Sequence, residues 1–225
     1  MNRAVLLCAV ALVAGAAGHA KALPADDERQ GTVRQAQEYL ASYAECIVGE
    51  RSYRAKVTTF LRDVPGSATP HSAQIVEPQC LTSAAVKIRA RIKLRIPPDL
   101  FRLALFAALY KRDYGKVGPV TAISEAPPAQ LSTEFDGPVE ALPTTYRPLR
   151  VLGDCVARAS PVATHALLVA AAYTPAEDAA LALLRPALES CLVQNQTVRM
   201  NRASLRGVLA ESAYKLALAV QPPRR

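Results

Sequence analysis

Of the five cysteines of this chain, the four beyond residue 22, Cys46, Cys80, Cys155 and Cys191, are the residues best suited to covalent chemistry. They form two pairs of similar spacing, 34 positions from Cys46 to Cys80 and 36 from Cys155 to Cys191. No pair is spaced C-x-x-C, so zinc-ribbon and thioredoxin-like chemistry has no support, and an even number favours disulfides if the chain is exported. Nucleophile machinery is absent in recognisable form: there is no G-x-S-x-G, no H-E-x-x-H, no P-loop and no dinucleotide fingerprint. His71 and His165 do not occupy equivalent positions, and each reads as a surface or helix-face histidine. Glu177 and Asp178 open a helix, where negative charge is favoured, while Glu45 and Asp154 each precede a cysteine. No catalytic residue, cofactor or metal is assigned.

A second constellation is electrostatic. In VKIRARIKLRIPPD, from Val86 to Asp99, Lys87, Arg89, Arg91, Lys93 and Arg95 alternate with apolar residues. A period of two fits an extended strand with one apolar and one cationic face, and fits a helix poorly because the cations would surround its axis. These five residues are the candidates for contact with an anionic partner, such as lipid headgroups, acidic polysaccharide or another envelope protein. No aromatic residue interleaves them for base stacking, which argues against nucleic acid.

The chain opens with MNRAVLLCAVALVAGAAGHAKA, a basic start, an apolar run from Ala4 to Ala17, and small residues at Ala20 and Ala22. That is the layout of a secretory signal peptide over residues 1–22, and its apolar run is too short to span a bilayer. Cys8 lies at the start of that run, not at its end where a lipid-anchor cysteine belongs. No later apolar run reaches membrane-span length, so a periplasmic or secreted product is expected. Without Arg3 and Lys21 the chain carries 25 basic and 19 acidic residues. Five of those cations sit in the alternating segment, so the basic excess is local.

The elements that position these residues come as a duplication. AECIV at Ala44 is echoed by GDCVA at Gly153, Thr69-Pro70 by Thr174-Pro175, Pro78 before Cys80-Leu81 by Pro186 before Cys191-Leu192, and FRLALFAALYK from Phe101 by LRGVLAESAYK from Leu205. Residues 23–114 and 147–221 are the expected repeats, with a tail at 222–225. The linker region is proline-rich, with six prolines between Gly115 and Pro148, and is assigned to 115–146.

Within copy two, the apolar spacing predicts a helix over Arg147–Ala159, another from Ser160-Pro161 to about Ala172, a third capped by Thr174 with Glu177 reaching back, and a last one capped by Asn201 or Ser204. Pro186 is expected to interrupt the third helix and Pro78 to limit its counterpart. In copy one, helices are expected over Val33–Val48 and Ser52–Arg62, from Thr69, and from Pro97-Pro98-Asp99 to about Arg112. Both copies place a short alternating segment before the last helix. Arg102 and Arg206 are matched and read as buried structural arginines, with Arg206 near Glu211, and Gly207 permits close helix packing.

The fold class expected is mainly α: two tandem helical repeats, each with its own disulfide and a short extended segment before its last helix. A unit stable before duplication closes its own bond, giving Cys46–Cys80 and Cys155–Cys191, with pairing across the copies as the alternative. The run LRGVLAESAY at Leu205–Tyr214, following Cys-Leu and an earlier helical cysteine, resembles a group of uncharacterised exported bacterial proteins. The resemblance is clear in copy two and loose in copy one, and implies a helical secreted protein with cysteine pairs and no particular activity. Two functions are weighed: a non-catalytic envelope protein with a structural or binding role, and a hydrolase-type enzyme with an unmarked site where the copies meet.

Overall fold

A computed structural model describes residues 26–67, 70–88, 96–192 and 200–222, with the backbone alone for 26–32 and for residue 88. Copy one supplies α1 (Asp26–Gly49), α2 (Arg54–Arg62), α3 (Pro78–Ile88) and α4 (Pro98–Tyr114). The single turn α5 (Leu131–Glu134) lies in the linker between two 3₁₀ turns, and copy two supplies α6 (Tyr146–Ala159), α7 (Pro161–Val169), α8 (Pro175–Cys191) and α9 (Arg202–Val220). Among the described residues there is no strand.

Local chemistry sets most boundaries. The Thr174 side chain accepts from the Glu177 amide and Asn201 accepts from the Ser204 amide, each satisfying a donor that the first turn leaves unpaired. Glu177 reaches back one residue further than a capping box requires, taking the Tyr173 amide at 2.7 Å rather than that of Thr174. Proline stands in the first turn of α4, α7 and α8, where its missing N–H costs nothing. The residues just before the two last helices are extended, Pro97 at φ −60°, ψ 136° and Asn201 at φ −80°, ψ 169°.

Three expectations are corrected. Pro78 begins α3 instead of limiting a helix begun at Thr69, and the segment before it holds only a 3₁₀ turn at His71–Gln74. Pro186 lies inside α8 without ending it. Pro186 and Ala182, whose carbonyl loses its donor, are both exposed, so water can take the place of the missing N–H. The helix from Pro161 stops at Val169 rather than near Ala172.

Each copy closes its own disulfide. Cys46–Cys80 ties α1 to α3 and Cys155–Cys191 ties α6 to α8, with Cα separations of 5.6 and 5.8 Å. The apolar interior is nevertheless partly shared, beside a second cluster within copy two around Val156, Leu167 and Leu184. One core cluster joins Tyr43, Ile47, Phe101 and Leu105 of copy one to Leu168, Ala210, Ala213 and Leu216 of copy two. The joint is the crossing of α4 and α9, where a Cβ on Gly207 would lie 2.5 Å from the Leu103 Cβ. At the α6–α9 crossing, Gly153 similarly leaves no room for a side chain, which would run into Ser212 and come within 3.0 Å of Val208. Small residues thus set how closely the last helix approaches its neighbours.

Candidate functional site

The matched arginines come first because they fix the walls of the site. Arg102, on α4, donates to the Phe60 carbonyl at 3.4 Å and the Asp63 carbonyl at 3.2 Å, where Asp63 is the C-cap of α2. Arg206, on α9, donates to the Leu168 carbonyl at 3.5 Å and the Ala170 carbonyl at 3.0 Å, where Ala170 is the C-cap of α7. Each copy therefore uses one arginine of its last helix to satisfy the end of its second helix, a position that favours positive charge.

Their acidic partners differ from expectation. Arg206 pairs with Glu177 at 2.7 Å, and Glu211 pairs with Arg102 of the other copy at 3.3 Å. Glu211 also accepts from Lys215 at 2.6 Å and from the Tyr146 hydroxyl at 2.8 Å. Burial alone would raise its pKa, but Lys215, Arg102 and these hydrogen bonds outweigh burial and hold it down at about 2. Lys215 and Arg102 lie 5.2 to 5.3 Å from the centroids of both Phe106 and Phe135, so two cations are held between two ring faces. Lys215 and Arg150 both reach Glu134, at 2.5 and 3.1 Å, which fastens the linker onto copy two. This cluster is enclosed, and its arrangement is structural.

The open feature is a cleft of about 400 Å³ where the copies meet. Its floor is one face of α4: Leu100, Leu103, Ala104, Ala107, Ala108 and Lys111 recur at helical spacing. One wall is α1 from Gln37 to Glu45; the other joins the α7–α8 corner, Ala170 to Tyr173, to the start of α9 from Asn201 to Gly207. Lys87, near the end of α3, completes the lining. The walls meet where the Tyr173 hydroxyl donates to Gln37 and the Arg34 guanidinium lies 5.2 Å from the Tyr173 ring centre. Tyr173 has φ +58°, a left-handed conformation that costs a residue with a Cβ and is maintained only by its surroundings.

Charge on these walls is largely matched. Lys111 pairs with Glu45 at 2.7 Å, Arg34 with Glu38 at 2.8 Å, and Arg206 with Glu177 at 2.7 Å. Arg202 joins Asp178 at 2.5 Å and Glu177 at 3.4 Å. Burial pushes Glu177 up, but the Arg206 hydrogen bond, the Tyr173 amide and the neighbouring cations hold its carboxyl below the ordinary range. Lys87 is exposed, and among the described residues no carboxylate pairs with it. It is the one cation lining the cleft for which this holds.

Of the anion-contact candidates, Lys87 lies in the last turn of α3, so the strand expected from Val86 is helical through residue 88. Leu81, Ala84 and Ala85 pack that helix on the core, and this packing overrides the alternation. Arg89, Arg91, Lys93 and Arg95 lie outside the described residues. The two histidines are not brought together. His71 meets Asp63 through Nδ1 at 2.6 Å, and His165 meets the Tyr110 hydroxyl at 3.2 Å, with burial lowering the His165 pKa. Among the described residues no group of three or more His, Cys, Asp or Glu side chains converges as a metal site would. The cleft's alanines carried no chemical signal in the sequence; the available hint was their density in LALFAALYK and VAAAY, which reads equally well as packing. No family model, no curated protein and no solved structure matches this chain.

Proposed function

We propose that the protein is an exported, non-catalytic binding protein of the cell envelope, and that its ligand occupies the cleft between the two repeats. The observation that carries this reading is the cleft itself. At about 400 Å³ it falls within the roughly 300–1,000 Å³ of small-molecule sites, and such sites favour apolar walls at the junction of structural units. Its described lining includes the Ser42 hydroxyl but no histidine or cysteine, and its carboxylates Glu38, Glu45 and Glu177 are held in ion pairs. That set favours holding a ligand over the hydrolase alternative, which requires a nucleophile beside a free base. Export is supported by the leader and two disulfides, and among the described residues no helix is long and apolar enough to cross a membrane. The basic segment that begins at Lys87 adds an affinity for anionic partners, whether lipid, polysaccharide or envelope protein.

The test is native mass spectrometry of the protein secreted with its own leader, beside Ala107→Leu, which fills the cleft floor. A cargo mass present in the parent and lost in the variant supports the reading. Identical spectra, with no cargo in either or the same cargo in both, contradict it.

A further inference from the structure

The shape and charge of the cleft narrow what it holds. The floor from Leu100 to Lys111 spans eleven helical steps, or about 17 Å at the helical rise, so a volume of about 400 Å³ is drawn out into a trough. An extended peptide brings backbone N–H and C=O groups that must be paired when buried. Helices line most of the trough, and their interior backbone groups already pair within the helix. An unbranched hydrocarbon chain has no such groups to satisfy and fits a narrow apolar trough.

Charge supplies the second requirement. Glu38, Glu45 and Glu177 are matched, and among the described residues Lys87 is the one unpaired ammonium beside the apolar floor. One such cation suits a head carrying one negative charge. From the elongated alanine floor and Lys87 beside it, and resting on the binding reading above, we infer that the ligand is a free single-chain amphiphile with a carboxylate head. Its chain lies along α4 over Ala104 and Ala107, and its head faces Lys87. The alanines at 104 and 107 are the specificity-determining positions, because each is partly buried and a larger side chain there takes the space of the chain.

The experiment is calorimetric titration of the mature chain, stripped of small molecules on hydrophobic resin, with dodecanoate, dodecanol and dodecyl phosphate at low ionic strength. The expected result is one dodecanoate per chain, bound at least tenfold more tightly than dodecanol. Lys87→Gln should remove that preference without abolishing dodecanol binding. Ala107→Leu and, separately, Ala104→Leu should each weaken dodecanoate at least tenfold, with circular dichroism confirming that whichever variant is compared remains folded. Equal affinity for dodecanol and dodecanoate, or tighter binding of dodecyl phosphate, overturns the carboxylate assignment. If no amphiphile binds while native mass spectra still show a cargo lost in Ala107→Leu, this inference fails and the binding reading stands. If neither experiment registers a ligand, both fail.

Discussion

Leu103 rests on Gly207, and the two residues hold the same place in their copies, one after the matched Arg102 and Arg206. Contact between equivalent positions is what a local two-fold relation produces, as in the self-complementary interface of a dimer. The duplication is therefore present in the packing as well as in the sequence. The departure from symmetry is useful: a large side chain on α4 is accommodated because its counterpart on α9 has none.

Gly207→Ala tests that joint. Placing alanine in a helix should gain about 0.5–1 kcal/mol over glycine, but the added Cβ must displace the Leu103 stem, and overpacking typically costs about 1–3 kcal/mol. Net destabilisation of about 1–2 kcal/mol is expected in urea unfolding. Leu103→Gly in the same chain should cost less than it does alone, because it removes the Cβ that the new alanine meets and neighbouring substitutions couple. Additive losses would show that the two side chains do not compete for this space.

The buried carboxylate gives a pH prediction. Although burial favours the neutral acid, Lys215 and Arg102 hold Glu211 at about 2 against an ordinary 4.5. A depressed folded pKa contributes stability that is complete above about pH 4.5 and is lost as pH falls through about 2. The shift corresponds to roughly 3 kcal/mol. Glu211→Gln should flatten the fall in unfolding free energy between pH 5 and 2 by an amount of that order. An unchanged acid limb in the variant would show that other carboxylates carry it.

The disulfides should act within their own repeats. Non-reduced peptide mapping should recover Cys46 with Cys80 and Cys155 with Cys191, the pairs present in the structure. Replacing either pair by alanine should cost about 2–5 kcal/mol, because loops of 34 and 36 residues are released in the unfolded chain. The loss should be seen in global unfolding, since one core cluster spans both copies, although copy two also has a cluster of its own beside Cys191. Loss of cooperativity confined to one half would instead indicate independent repeats.

Thr174→Ala removes an N-cap at the corner that also holds Tyr173 and Glu177. A cost of about 1 kcal/mol is expected from the cap. Its ligand affinity should fall as well, because the same corner forms a wall of the cleft. A stability loss with unchanged affinity would separate the corner from the site.

Helices, caps, cysteine pairing and the matched arginines were legible in the sequence because each depends on local chemistry or on direct comparison of the copies. Thr174 and Asn201 cap as their side chains predict, and Arg102 is buried as a structural arginine. Pro78 and Pro186 were misread because similar sequence settings take different places in a helix: one starts α3, and the other lies inside α8 on an exposed face that tolerates a missing donor. The Arg206–Glu211 pairing also failed. Glu211 turns toward Arg102 of the other copy, a contact set by the angle between α4 and α9 that no spacing along one helix encodes. The cleft was hidden for the same reason. Ala104 and Ala107 look like ordinary packing residues until α1 and the α7–α8 corner are placed on either side of them.

The most direct measurement is an NMR titration of residues 23–225 labelled at the alanine methyl groups, using dodecanoate. Saturable shifts are expected at Ala104, Ala107, Ala171 and Ala172, which line the cleft, while Ala157 and Ala213 in the buried core stay nearly still. Saturable shifts that leave the four cleft alanines unmoved, or no saturable shift at all, would contradict the account.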